Sequence, residues 1–287
     1  MNVRYYVGIG AEALVGLAGA LGMPRAFTAG AGATLVVRDL HIRFLHEARV
    51  GAGLRMEGAV LDMGETDARI LMILFHTSGQ PAAALTYRVE HVTPVELRPF
   101  PWPKSARHLA EGLMGTAPDY ALPRGLTGDL PAEPATVALA DSLGFGIGVL
   151  GALTPLDTDV FGRMTPEHLL ERISHSMPHY VDRRSLPVED HMPELVGRLG
   201  GATVEFQAAF RRWPRAGERL VLRSGMTRLS GKSAVLAQWL LDPATGASWA
   251  EARMVIVNLD LQARKAVELT PPLVEIMARL LTPAPGY

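Results

Sequence analysis

Residues 159–177 have the sequence DVFGRMTPEHLLERISHSM, in which a turn leads into an amphipathic helix. Thr165 is a good N-cap, and Pro166 suits the first helical position, where a backbone N–H has no partner to lose. Glu167 complements the positive end of the helix dipole. The pattern predicts a helix from about residue 165 to residue 180. Its apolar stripe consists of Leu169, Leu170, Ile173 and Met177.

Strand patterns follow this helix. Apolar residues alternate with polar ones over residues 204–210, as in a half-buried strand. Further strands are predicted at about 220–227, 233–241 and 249–259, with turn-forming residues between them. A helix followed by an antiparallel meander is an α+β unit.

The first half of the chain repeats this order. An offset of 163 residues (164 − 1) aligns Met1 with Met164 and Asn2 with Thr165, two good helix caps. The repetition predicts an internal duplication. In this half a helix is predicted at about 1–23, and strands at about 34–47, 54–62, 68–76 and 82–92.

Composition and charge exclude several classes of function. The 287 residues include no cysteine, which excludes disulfides, thiolate metal sites and cysteine nucleophiles. The formal net charge is −1 with both signs interspersed, so we expect no nucleic-acid partner. No segment keeps charges out over the roughly 20 residues of a membrane span, and we expect a soluble, cytoplasmic protein. Phosphate-loop, nucleophile-elbow and metal-ligand motifs are missing, and we expect no cofactor and no metal.

The turn before the second helix resembles a family motif. Residues 159–164, DVFGRM, are similar to the motif D-x-x-G-H-M that joins the first strand to the central helix in hotdog acyl-CoA thioesterases, with Arg163 in place of histidine. Residues 1–6, MNVRYY, resemble its continuation M-N-x-x-Y-Y, and residues 41–51 resemble the second strand and turn of the family. The chain thus resembles the double-hotdog acyl-CoA thioesterase-like proteins of the 4-hydroxybenzoyl-CoA thioesterase-type hotdog superfamily.

The resemblance implies an α+β fold of two tandem hotdog units, each a long central helix wrapped by an antiparallel sheet, in a pseudo-dimeric double hotdog. The expected segments are an N-terminal hotdog unit at residues 1–95, a proline-rich crossover linker at 96–140, a C-terminal hotdog unit at 141–265 and a tail at 266–287.

The N-terminal unit is expected to be incomplete. The offset places the counterpart of Asp159 at position −4 (159 − 163), before Met1, so this unit lacks its motif aspartate and its first strand. Either the unit has lost that strand, or translation starts upstream and Met1 is the internal methionine of a G-H-M-N segment. We expect the second, which a stop codon immediately before Met1 in the gene would exclude.

Three residues are candidates for catalysis. In hotdog enzymes, the resemblance implies, backbone N–H groups at the N-terminus of the central helix polarise the thioester carbonyl, and a nearby carboxylate acts as base or nucleophile. Asp159 stands at the motif position of such a carboxylate, although an aspartate there often only caps the turn. Glu12 and His175 occupy matching helix positions (175 − 12 = 163), where the family has its other catalytic group, yet surface helix residues are commonly just solvated.

The candidates for substrate binding surround the two helix starts. Gly162 would let the backbone approach the acyl group. Arg163 either binds a phosphate or carboxylate at the pocket mouth, or marks a loss of function through replacement of the motif histidine. A structural role is the more common one for a strand histidine such as His41. The remaining candidates are Met164, Thr165 and Asn2.

The favoured function is hydrolysis of acyl-CoA or acyl-carrier thioesters by carboxylate-activated water. The alternative is a hotdog protein that binds acyl thioesters or another apolar ligand without turnover, which the replacement at Arg163 would suit. Hydratase chemistry is disfavoured, because its motif has a histidine five residues after the aspartate, where Met164 stands here. The acyl chain, the choice between CoA and a carrier protein, and assembly into a homo-oligomer stay open.

Overall fold

The computed structural model describes residues 2–182, 186–284 and 286–287, and for residues 178–182 only the course of the chain. Met1, for which the sequence suggests the role of an internal methionine, lies outside the described residues. The chain forms two compact units. The first comprises the residues up to Pro123, Leu153–Glu171 and Trp213–Gly217, and the second comprises Arg124–Ala152, Arg172–Arg212 and Glu218–Tyr287.

The first unit contains the predicted helix and four strands. The strands are antiparallel and lie in the order β2-β3-β4-β1, and α1 packs on β2, β3 and β4. Helix α1 ends earlier than predicted because Gly22 adopts a φ of +78°, a left-handed conformation that ends helices. The elements are α1 (Val3–Ala20), β1 (Thr34–Phe44), β2 (Leu54–Met63), β3 (Asp67–His76), β4 (Pro81–Val92) and α2 (Lys104–Glu111).

The second half of the chain repeats this order after one additional strand. In the second unit the strands are antiparallel in the order β6-β9-β8-β7-β5, and β10 pairs with β9. The elements are α3 (Val137–Ser142), β5 (Gly146–Ala152), α4 (Pro166–Asp182), α5 (Val188–His191), β6 (Leu199–Phe210), β7 (Arg219–Leu229), β8 (Ser233–Leu241), β9 (Ser248–Asp260), β10 (Lys265–Ala266) and α6 (Pro271–Ala278).

The two units differ in what pairs with the outer edge of two corresponding strands, β7 in the second unit and β2 in the first. In the second unit β5 pairs along β7. In the first unit, β2 occupies the place of β7, and within the described residues its outer edge carries only a short parallel bridge between Val60 and Met114. Val60 donates to the Leu113 carbonyl at 2.9 Å and accepts from the Gly115 N–H at 3.0 Å. That the first unit lacks its first strand stays a prediction from the sequence.

The compact units do not follow the expected segments along the chain, since the first unit takes in Leu153–Glu171 and Trp213–Gly217. The segment boundaries at residues 95, 140 and 265 concern the sequence repeat and stay predictions. Across the part of the chain that the structure describes, no helix combines the length and the apolar character needed to cross a membrane.

His91 at the end of β4 makes the stability of the first unit sensitive to acid. It is fully buried between the rings of Phe100 and Trp102, with centroids 4.1 and 4.8 Å away. Nδ1 donates to the Phe100 carbonyl at 2.9 Å, and Nε2 is buried without a partner among the described residues. Burial lowers the pKa of His91 in the folded state.

We therefore expect acid to weaken the fold through His91. A histidine with a lowered folded-state pKa binds fewer protons when folded, so stability is present above the unfolded pKa of about 6.5 and falls as the pH drops below it. Urea unfolding at pH 7.5 and 5.5 should show a smaller loss of stability for His91→Phe than for the wild type. The control His108→Gln changes an exposed histidine and should keep the wild-type loss. Equal losses in all three proteins would contradict this prediction.

Candidate active site

A cavity of about 580 Å³ lies in the first unit. Its walls are one face of α1, the start of α4, parts of β1 and β4, and Trp213. This volume is within the usual range for small-molecule sites, roughly 300–1,000 Å³. Most of its wall is apolar and includes Val7, Leu14, Phe27, Leu35 and Val37.

Helix α1 and the first turns of α4 are in contact beside this cavity. Arg4 forms an ion pair with Glu171, and a Cβ added at Gly8 would lie 3.1 Å from Glu167 Oε2. Glu12, one turn further along α1 than Gly8, and Arg163, in the turn before α4, also line the cavity. The positive N-terminal end of α4 and the carboxylate of Glu12 therefore share one cavity.

Glu12 supplies an exposed carboxylate to the cavity wall. Among the described residues it makes no hydrogen bond and no ion pair. Its oxygen lone pairs are available to a water molecule, as a general base requires.

Asp159 lines the same cavity, but its oxygens are occupied. Oδ1 accepts from the N–H groups of Phe161 and Arg163 at 2.9 and 3.0 Å, and Oδ2 accepts from Arg163 Nε and Nη2 at 2.9 and 2.7 Å. Gly162, with a φ of +74°, lets the chain close this turn. Arg163 is only 3% exposed and also lies over the Phe161 ring at 4.7 Å. The pair holds the turn that leads into α4.

The predicted residues divide into two groups. Glu12, Asp159, Arg163, Met164 and Thr165 line the cavity together. The described lining residues do not include Asn2, His41, Gly162 or His175. Asn2 caps α1 by accepting from the Arg4 N–H at 3.1 Å, and His41 is a half-buried residue of β1. His175 is exposed and belongs to the second unit.

Sequence reasoning missed a charged cluster at the start of α4. His168 Nε2 lies 3.5 Å from Glu171 Oε2 and 3.9 Å from Asp157 Oδ1, and its Nδ1 lies 2.8 Å from the Thr165 hydroxyl. The ligand atoms of Asp157, His168 and Glu171 lie within 4.8 Å of one another, close enough to hold a metal ion. Because Arg4 also pairs with Glu171, a cation would compete with the guanidinium. The three-residue spacing of His168 and Glu171 on a predicted helix was the available signal.

Three solved structures share the architecture of this chain. An oleoyl thioesterase of Lactobacillus plantarum has 12% sequence identity and a TM-score of 0.63, and the match covers 89% of this chain and 88% of that chain. The 12:0-ACP thioesterase of Umbellularia californica has 15% identity and a TM-score of 0.58, with 88% of this chain and 89% of that chain covered. An acyl-ACP thioesterase of Bacteroides thetaiotaomicron has 12% identity and a TM-score of 0.56, with 89% of this chain and 90% of that chain covered. At these identities the likeness shows the fold, and it confirms the expected α+β fold with two hotdog units. Comparison with functionally curated proteins gave no match.

The sequence itself matches a family model in two segments. Residues 1–110 and 153–277 match the model of the thioesterase-like superfamily, which is most of the chain and both copies of the repeat. The starts of α1 and α4 and the residues that line the cavity lie within these segments. The chain is therefore a member of the thioesterase-like superfamily.

Proposed function

We propose that this protein hydrolyses acyl thioesters of CoA or of an acyl carrier protein. One observation carries the proposal: the carboxylate of Glu12, which has no partner among the described residues, and the N-terminal end of α4 line one cavity whose remaining wall is largely apolar. A carboxylate beside a positive helix end suits activation of water next to a carbonyl. The apolar wall suits an acyl chain.

In the proposed reaction the thioester carbonyl oxygen lies at the first turn of α4. Glu12 accepts a proton from water while the water oxygen attacks the carbonyl carbon. The negative charge that develops on the carbonyl oxygen is stabilised by the helix N-terminus. Collapse of this intermediate breaks the carbon–sulfur bond, and the proton held by Glu12 passes to the departing thiolate. The products are a carboxylic acid and a free thiol.

Asp159 has a supporting part in this proposal. Its bonds to Arg163 and to two backbone N–H groups hold the turn before α4, and so they position the helix end that binds the carbonyl. His175, Asn2, Gly162 and His41 have no assigned part in the reaction. A cytoplasmic location and assembly into a homo-oligomer stay predictions from the sequence.

A panel assay tests the proposed activity. Purified protein is incubated with acetyl-, octanoyl-, dodecanoyl- and oleoyl-CoA and with dodecanoyl-ACP, and free thiol is followed with a chromogenic disulfide. We expect multiple-turnover release of thiol from at least one longer acyl thioester, because the apolar wall favours an extended chain over acetyl. Buffer with heat-inactivated protein is the control.

The alternative function is binding of acyl thioesters without turnover. The ion pair between Asp159 and the buried Arg163 favours this alternative, because it occupies the motif aspartate that the family resemblance would otherwise make catalytic. Calorimetric titration with the same panel decides between the two functions. Binding without release of thiol from any substrate would exclude the hydrolase and support the binding protein.

A further inference from the structure

Tyr87 of β4 lines the cavity and has an unused hydroxyl group. The side chain is 1% exposed, and its Oη has no hydrogen-bond partner among the described residues. Burying a hydroxyl without a partner costs stability, and such groups in folded proteins are exceptions that need a reason. A ligand that supplies the missing partner is such a reason.

The surrounding chain makes room for this hydroxyl. A Cβ at Gly10 of α1 would overlap Tyr87 Oη, so the tyrosine reaches the helix only because this position is a glycine. Burial and the nearby Glu167 carboxylate raise the pKa of Tyr87, which keeps the hydroxyl protonated. A protonated phenol is available to donate a hydrogen bond to an oxygen acceptor.

A second buried donor lines the same cavity. Arg163 uses Nε and Nη2 on Asp159, while its Nη1 is buried without a partner among the described residues. Arg163 belongs to the turn before α4, where the proposed reaction places the thioester carbonyl. Tyr87 stands on the sheet, away from solvent, and so its acceptor belongs to the acyl part of the substrate. The two donors call for a ligand with more than one oxygen acceptor.

From this geometry we infer that the Tyr87 hydroxyl donates a hydrogen bond to an oxygen atom on the acyl chain, so that oxygenated acyl thioesters, such as hydroxyacyl thioesters, are better substrates than plain fatty acyl thioesters of the same length. This inference rests on the proposed function for its reaction. It concerns binding, however, and can be measured without turnover. A site built to bond a substrate hydroxyl rejects the analogue that lacks it more strongly than an apolar pocket distinguishes two chains.

The test compares octanoyl-CoA with its derivatives that carry one hydroxyl at the third, fifth or eighth carbon. We expect at least one derivative to have a higher kcat/KM than octanoyl-CoA. Tyr87→Phe should lower the ratio of the two kcat/KM values, derivative over octanoyl-CoA, roughly tenfold or more, as loss of a buried hydrogen bond does. Tyr120→Phe, at a tyrosine 37% exposed and outside the cavity wall, should keep the wild-type ratio. The same ratio in the wild type and in Tyr87→Phe for all derivatives would overturn the inference while leaving the hydrolase standing.

Two further measurements separate this inference from the proposed function. If no thioester is hydrolysed, calorimetry still tests the inference. Tighter binding of a hydroxylated derivative than of octanoyl-CoA by the wild type, lost in Tyr87→Phe, supports the inference. Equal binding of the derivatives and octanoyl-CoA by the wild type overturns it. The melting temperature of the free protein gives the second readout. Tyr87→Phe should melt at or above the wild-type temperature, because it removes a buried hydroxyl that has no hydrogen-bond partner in the described part of the chain. A clear fall would show that the hydroxyl serves the fold and would count against the inference.

Discussion

Replacing Glu12 with glutamine is expected to lower kcat for thioester hydrolysis by about 100- to 10,000-fold, the usual contribution of a general base. Glutamine keeps the size and polarity of the side chain but cannot accept the proton from water. Because Glu12 is exposed and makes no hydrogen bond or ion pair among the described residues, the substitution should leave the fold unchanged. The rate of thiol release from the best substrate of the panel, at saturating substrate, measures the effect on kcat. Thermal melting checks the fold.

Glu275→Gln is the matched control. Glu275 is likewise an exposed glutamate on a helix, α6, and it lies outside the cavity wall. This variant should retain wild-type kcat. If Glu12→Gln also retained wild-type kcat, Glu12 would not be the base, and Asp159 or the cluster of His168 and Glu171 would have to supply it.

The second large effect concerns stability. Asp159→Asn is expected to reduce the free energy of unfolding by about 2–4 kcal/mol. The substitution leaves the Arg163 guanidinium, which is 4% exposed, without its charged partner and turns an amide N–H₂ toward it. Because the Asp159 side chain is 26% exposed, the effect should fall below that of a fully buried ion pair. Urea-induced unfolding gives the measurement.

A surface ion pair supplies the comparison. Asp39 pairs with Arg88 across β1 and β4, with the two side chains 43% and 45% exposed. Asp39→Asn should cost less than about 1 kcal/mol, as expected for a solvated pair. A loss for Asp159→Asn no greater than that for Asp39→Asn would mean that the Asp159–Arg163 pair does not hold the turn before α4.

The helix starts and the strands were accessible from local sequence alone. Thr165 and Pro166 predicted the start of α4, which begins at Pro166. The strand of alternating residues at 204–210 lies within β6, and the offset of 163 residues indicated the duplication that the two matching segments support. Caps, turns and alternation act between residues close in sequence, so their signals survive without a structure.

The site was only partly predictable. The family motif drew attention to Asp159 and Arg163, but it did not show that their side chains bind each other. The matching helix positions drew attention to Glu12 and His175 equally, whereas only Glu12 is among the described residues of the cavity wall. Tyr87 carried no signal, because a tyrosine in an alternating strand is ordinary.

Local sequence patterns predict which segments become helices and strands, show that the pattern occurs twice, and carry the family resemblance. The packing of distant segments places Glu12 in one cavity with the start of α4, binds Asp159 to Arg163, and leaves the Tyr87 hydroxyl beside Gly10 without a partner among the described residues. The reason is physical. Backbone conformation depends mainly on neighbours along the chain, but the availability of a carboxylate or hydroxyl depends on which distant groups pack against it and whether they satisfy its hydrogen bonds.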